Sequence, residues 1–113
     1  MSATLGFGGI KRECMILEVA ILDVKPNLQG DFEKAFSQAQ KIISSMDGYV
    51  SHQLQKCIEN DSRYILLVNW KTLEAHTTGF RESEKYQEWR ALLHHFYDPF
   101  PKVEHYKNVF AGE

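Results

Sequence analysis

The segment MILEVAILDV, residues 15–24, constrains the fold more than any other part of this sequence. Apolar residues fill both alternating sets of positions, and only Glu18 and Asp23 interrupt them. Because successive side chains of a strand point to opposite faces of its sheet, the pattern predicts a strand that is covered on both faces. Lys25-Pro26-Asn27 ends this strand, since proline cannot continue a ladder of hydrogen bonds.

The next patterns predict a helix and a hairpin. Apolar residues spaced by three and four predict an amphipathic helix over residues 28–46, and Asp47-Gly48 ends it. Residues 49–58 tend to alternate between polar and apolar, and residues 63–70 are rich in Ile, Leu and Val. With a polar turn between them, these two segments are typical of a β-hairpin.

Two further helices and a strand are predicted in the second half. Thr72 can cap a short helix, which Gly79 is expected to break, and Ser83 can cap a longer one. The longer helix carries an apolar stripe and ends at the proline-rich turn DPFP. Residues 103–110 are predicted to form the last strand.

This order of elements favours the ferredoxin-like α+β fold, βαββαβ, with a four-stranded antiparallel sheet and both helices on one face. The other face is then bare, although the first strand also points apolar side chains towards it. Because no segment remains to cover that face, we predict a homodimer through sheet-to-sheet packing. We assign residues 1–13 to a flexible N-terminal tail without a secretory signal, and residues 14–113 to the domain.

Composition narrows the function classes. A chain of 113 residues with a formal net charge of -2 fits one domain and gives no reason to expect nucleic acid. It has no apolar run long enough for a membrane span, so we expect no membrane partner. Cys14 and Cys57 fit neither a disulfide framework nor a zinc spacing, which favours a cytoplasmic location. Motifs for nucleotide binding, serine hydrolysis and zinc proteolysis are absent from the sequence.

Three of the five histidines lie in LLHHFYDPFPKVEHY. His94 and His95 are neighbours on a predicted helix, so they point about 100° apart and make a poor metal pair. Their place in the last turn suggests a structural role, because the helix dipole favours a cation there. His105 either lines a cavity or is a core histidine satisfied by Glu18, if the last strand pairs with the first.

One set of residues can form an aromatic-walled pocket with a single cationic group, which suits a flat, oxygen-bearing organic molecule. It consists of Trp70, His76, Phe80 and Arg90. The structural alternative is that the two aromatic residues belong to the core and that Arg90 is solvated or lies at a dimer interface.

Four segments together resemble the antibiotic biosynthesis monooxygenase (ABM) domain family of dimeric α+β barrels. They are the apolar first strand, DGYVSHQLQ, the NW that ends the third predicted strand, and WKTLEAHTTGFRESEKYQEWRALLHHFYDPFPKVEHY. The resemblance extends from residue 15 to residue 110, and the last segment is its most specific part.

The resemblance implies a cofactor-independent monooxygenase that uses no metal, flavin or haem and acts with O₂ on a quinol-like or polycyclic aromatic substrate. It implies a catalytic set in which Trp70 is a pocket wall, His76 a polar group near the substrate oxygen and Arg90 a stabiliser of the substrate anion. Substrate-binding residues would be Phe80, Tyr86 and His105. One departure from the family pattern is Leu66, which stands where an oxygen-positioning Asn is expected.

Two alternatives stay open. The first is a non-catalytic homodimer that binds a small aromatic ligand, and the weaker second is a haem- or metal-binding protein that uses His76 and His105. Haem degradation itself is not predicted, because the Asn, Trp and His that the haem-degrading branch requires are replaced by Ala20, Phe80 and Arg90.

Overall fold

The computed structural model describes residues 15–113, so the predicted tail of residues 1–13 and Cys14 lie outside the described residues. The first half contains β1 (Ile16–Asp23), α1 (Gln29–Ile43), β2 (Tyr49–Lys56) and β3 (Arg63–Trp70). The second half contains a π-helix (Ala75–Phe80), α2 (Glu84–Leu93), a 3₁₀ turn (His94–Phe96) and β4 (Val103–Lys107). No helix of this part of the chain is long and apolar enough to cross a membrane.

The strands form one antiparallel sheet in the order β2-β3-β1-β4, which confirms the predicted ferredoxin-like α+β fold. Strand β1 lies inside the sheet, between β3 and β4. In this register Glu18 lies opposite Val68 on one side and His105 on the other. The only acidic side chain in the middle of β1 is thereby placed next to a histidine of β4.

The sheet has one covered face. On β1 the buried side chains are Glu18, Ala20 and Leu22, and on β3 they are Tyr64, Leu66, Val68 and Trp70. Apolar residues of α1 and α2, including Phe32, Phe36, Ile43, Trp89 and Leu93, complete the core against this face. The opposite face carries Leu17, Val19, Ile21, Ile65 and Leu67, which are only half-buried or exposed.

Two differences from the sequence prediction lie in the second half of the chain. The short helix does not break at Gly79 but continues as a π-helix to Phe80, with the wider turn showing in the bond from Arg81 N–H to His76 O (3.0 Å). The last strand ends at Lys107 rather than at residue 110, because Lys107 already lies opposite Ile16, the first residue of β1.

Candidate functional site

A cavity of about 340 Å³ lies between the covered face of the sheet and the second half of the chain. Volumes of this order hold small organic ligands. The floor comes from β1 and β3, through Glu18, Ala20, Leu22 and Leu66. The walls and mouth come from His76, Phe80, Arg81, Tyr86, Trp89, His94, Tyr97, Phe100, Pro101 and Val103.

Glu18 is the buried acid of this cavity, with only 5% of its surface exposed. The indole N–H of Trp70 donates a hydrogen bond of 2.9 Å to Glu18 Oε1. The same oxygen lies 3.4 Å from Nε2 of His76. Since a buried carboxyl group needs polar partners, Trp70 and His76 explain how the fold accommodates Glu18.

His76 and His105 form the second link of this network. Nδ1 of His76 lies 2.8 Å from Nε2 of His105, and the two rings share one hydrogen bond. His76 is 3% exposed, whereas His105 is half-buried on the edge strand β4. A continuous chain of polar groups therefore runs from the buried carboxyl group towards the surface.

The short π-helix positions His76 and Phe80. The hydroxyl of Thr72 accepts a hydrogen bond from the Ala75 N–H (3.1 Å), as predicted for a cap at the start of this helix. The indole of Trp70, at the end of β3, stacks on the His76 ring with 5.4 Å between ring centroids and lies 5.9 Å from the Phe80 ring. The end of β3 therefore fixes the helix and directs its side chains into the cavity.

Burial favours neutral forms throughout this network. It lowers the pKa of His76 to about 3, with further lowering from the positive charge of Arg81 and from His105. Burial also raises the pKa of Glu18, although the Trp70 hydrogen bond and the charge of Arg81 oppose the shift. At neutral pH His76 is therefore uncharged, and its 3.4 Å approach to Glu18 is not an ion pair.

Arg81 is the cationic side chain at this cavity. It follows the π-helix directly, lines the cavity and is exposed to solvent. Its charge lowers the pKa of Glu18, His76 and His105, which indicates that its field reaches the whole network. The sequence pattern does not distinguish it from other surface arginines, and only its position after the π-helix brings it to the cavity.

The structure brings most of the predicted site residues together. His76, Phe80 and Tyr86 line the cavity, Trp70 contacts both His76 and Glu18, and His105 is bonded to His76. Their catalytic and substrate-binding roles stay predictions.

Arg90 is not part of this arrangement. It is exposed on α2 and lies in a separate surface depression with Gln87, Ala91, His94 and His95. His94, predicted to be structural, also lines the cavity, whereas His95 is exposed and does not. The role of Arg90 in stabilising a substrate anion stays a prediction, and the arginine that lines the cavity is Arg81.

No group of three or more His, Cys, Asp or Glu side chains within residues 15–113 is arranged to hold a metal ion. His76 and His105 direct the facing nitrogens, Nδ1 and Nε2, at each other. Those two nitrogens cannot at the same time serve as ligands.

The fold and the cavity define a class of small α+β domains that enclose an aromatic-walled site between sheet and helices. The sequence profile for antibiotic biosynthesis monooxygenases matches residues 15–92. The chain belongs to this family.

Sequence and structure comparisons with individual proteins are consistent with this family assignment. The uncharacterised protein YczJ of Bacillus subtilis is 57% identical over 95 residues, which are 84% of this chain and all of YczJ. A Bordetella bronchiseptica crystal structure assigned to the antibiotic biosynthesis monooxygenases has a TM-score of 0.81 at 35% identity, covering 85% of this chain and 98% of its own. The fold is also shared with SnoaB of Streptomyces nogalater, a cofactor-independent oxygenase, at a TM-score of 0.67 and 16% identity over 88% of this chain and 95% of SnoaB.

Proposed function

We propose that this protein is a cofactor-independent monooxygenase that oxidises a quinol-like or polycyclic phenol with O₂. The observation that carries the proposal is the aromatic-walled cavity in which a buried carboxyl group, Glu18, and a cationic group, Arg81, are both present. Family membership and the fold shared with SnoaB support it.

The shape and polarity of the cavity suit a flat aromatic molecule. Phe80, Tyr86 and Trp89 supply aromatic walls, and Ala20 and Leu66 lie opposite each other in the sheet as an apolar floor. A ring packed against these groups is shielded from water, and its hydroxyl group can reach one of the few polar side chains. Leu66 places a methyl-bearing side chain where the family pattern has an amide, so this floor offers no hydrogen bond of that kind.

The proposed oxidation requires the protein to stabilise an anion of the substrate. Loss of the hydroxyl proton gives a phenolate or quinol anion, which is electron-rich enough to pass an electron to O₂. One oxygen atom is then added to the substrate, and the other is reduced to water with two hydrogens from the substrate. Arg81 supplies positive charge at the cavity for the developing anion, and the aromatic walls displace water from the faces of the bound ring.

Oxygen uptake tests this proposal. Purified, metal-free protein is mixed with a panel of reduced quinones and polycyclic phenols, and O₂ consumption is followed with an electrode. We expect Arg81→Gln to lower kcat/KM by about 10- to 100-fold, because it removes charge stabilisation in the transition state.

The matched control is Arg90→Gln, which removes an exposed arginine outside the cavity and is expected to leave the rate unchanged. A loss with Arg90→Gln and none with Arg81→Gln would restore the role first predicted for Arg90. Absence of O₂ uptake across the panel, together with thermal stabilisation by an aromatic ligand, would instead identify a non-catalytic binding protein.

The protein is further proposed to act as a homodimer through the uncovered face of the sheet. Val19 and Ile21 of β1 lie opposite Leu67 and Ile65 of β3 on that face, which also carries Leu17, and Ile21 remains 49% exposed. A continuous apolar surface of this kind favours association, and a second copy offers the same surface to it.

A further inference from the structure

We propose that Glu18 takes the proton of the bound hydroxyl group, and that His76 and His105 carry it to the protein surface. The proposal rests on the proposed function, because it assumes a phenol or quinol in the cavity. It assigns one step of the reaction, deprotonation of the substrate, to side chains of this chain.

Glu18 is placed to act as the base. Of the residues that the structure describes, it is the only carboxylate that lines the cavity. Trp70 and His76 both approach Oε1, and no residue from 15 to 113 donates a hydrogen bond to Oε2. Oε2 is therefore the oxygen that a ligand hydroxyl group can engage.

The two histidines provide an exit for the proton. Glu18 is 5% exposed and His76 is 3% exposed, so neither can readily exchange a proton with bulk water once a ligand fills the cavity. Nε2 of His76 lies 3.4 Å from Glu18 Oε1, and Nδ1 of the same ring lies 2.8 Å from His105 Nε2. His105, which is half-buried, completes a path from the cavity to solvent.

Protons can pass from the ligand to His105 without His76 becoming positively charged. The ligand O–H bond breaks, and the proton joins the carboxylate of Glu18. The proton arrives on Oε2, and rotation of the neutral carboxyl group then turns its O–H towards His76. It passes to Nε2 of His76, which carries no proton in the tautomer that donates Nδ1–H to His105, while the Nδ1 proton passes to Nε2 of His105. His76 changes tautomer and stays neutral, and His105 releases a proton to water.

The charged groups around the two histidines favour proton transfer from Glu18 towards solvent. Arg81 adds positive charge at the cavity, which stabilises the ligand anion and disfavours a positive charge on either histidine. The other titratable groups that line the cavity are Tyr86, His94 and Tyr97. Arg81 therefore drives the proton outward from His105 to solvent rather than letting it remain in the network.

A chromogenic phenol allows proton abstraction by Glu18 and proton transfer through the histidines to be measured separately. 4-Nitrophenol is mixed rapidly with the protein in weakly buffered solution, below the pKa of the phenol. Visible absorbance reports the bound anion, and a pH indicator reports protons that reach bulk water. We expect both signals in the wild-type protein, and no bound anion in Glu18→Gln, whose amide can still accept the Trp70 hydrogen bond.

His105→Ala tests the exit. We expect the phenol anion to form, but the proton to appear in bulk water at least about tenfold more slowly, in line with the loss of a positioned acid-base group. Free imidazole should restore the rate, and an equal concentration of NaCl should not. His105→Gln, which can bond to His76 but cannot relay a proton, should be equally slow, and His95→Ala, an exposed control, should match the wild type.

Each outcome of these measurements tests a different part of the proposal. Proton release at the wild-type rate in both His105 variants would overturn the relay while leaving the proposed function intact. Formation of the bound anion in Glu18→Gln would overturn Glu18 as the base. If the wild-type protein binds no 4-nitrophenol, the result contradicts both the relay and the proposed cavity function.

Discussion

At the scale of single residues, His76 combines deep burial with polar neighbours at both ring nitrogens, a hydrogen bond to His105 at Nδ1 and the Glu18 carboxyl group 3.4 Å from Nε2. Its pKa falls to about 3, mainly because burial penalises the imidazolium form. In an unfolded chain the same group would titrate near 6.5. The difference links the protonation of one side chain to the stability of the whole fold.

The sign of this linkage gives a prediction for His76→Gln. Between pH 6.5 and about 3, unfolded His76 binds a proton that folded His76 does not, so the wild-type free energy of unfolding should fall as the pH falls. The contribution amounts to about 5 kcal/mol across both titrations, at 1.36 kcal/mol for each unit of pKa difference, and it is absent from the variant. Urea unfolding of both proteins at several pH values measures it.

A suitable control for that experiment is His95→Gln, in which an exposed histidine is replaced and the wild-type slope should persist. The raised pKa of Glu18 acts with the opposite sign, since its contribution is lost as the pH rises through the folded value. Glu18 keeps the same neighbours in the wild type and in His95→Gln, so its contribution to those two slopes is equal. Equal slopes for wild type and His76→Gln would mean that His76 is protonated in the folded protein.

At the scale of elements, the turn between α1 and β2 touches the start of the π-helix. Gly48 has φ +84°, and a Cβ added there would lie 2.5 Å from the Cβ of Ala75. We therefore expect Gly48→Ala to lower the free energy of unfolding by about 2–3 kcal/mol, from the left-handed backbone and the clash together. Thermal or urea unfolding measures this loss.

Gly30→Ala is the matched substitution, because Gly30 lies in α1 and nothing would lie within 4 Å of its new Cβ. It should stabilise the protein by about 0.5–1 kcal/mol, since alanine loses less backbone entropy in a helix. Equal effects of the two substitutions would contradict the close approach at Ala75.

Elements with a strong periodic pattern were predictable from the sequence. Strand β3 has the predicted bounds, Arg63–Trp70, and the hydroxyl of Ser83 caps α2 by accepting a hydrogen bond from the Tyr86 N–H (3.2 Å). The hydrophobic spacing in those segments matches one type of structure only. Helix α1 ends at Ile43 rather than residue 46. Beyond Ile43 the N–H groups of Ser45 and Met46 donate to carbonyls three residues back, which tightens the chain into turns.

The site was less predictable, because it depends on which side chains a π-helix brings together. Glycine normally weakens a helix, so Gly79 suggested an end, whereas the chain keeps a helical path with one extra residue in the turn. That path carries Arg81 to the cavity and was not visible in the residue pattern. Glu18 was predicted as a possible partner of His105, but the structure inserts His76 between them.

At the scale of the whole molecule, the uncovered sheet face predicts the effect of a surface charge. Leu67 lies opposite Val19 near the middle of that face. We expect Leu67→Lys to convert a wild-type dimer into a monomer, because a second copy would have to bury an unpaired ammonium group. Sedimentation velocity over a range of protein concentrations measures the mass.

Gln38→Lys adds the same charge to the exposed surface of α1 and should leave the dimer intact. A wild-type protein that sediments as a monomer throughout would remove the basis for assigning the uncovered face to a second copy. Loss of association with both variants would point to a general effect of charge rather than to this face.

The position of β4 at the sheet edge has a kinetic consequence. Among the described strands it pairs only with β1, through five residues, and it carries both His105 and the cavity residue Val103. Fraying of this strand would expose the cavity while β1 and β3 stay paired, so the amide hydrogens of β4 should exchange with deuterium faster than those of β1. A ligand that bridges β4 and the π-helix would slow that exchange. By holding β4 in place, such a ligand would also slow its own dissociation.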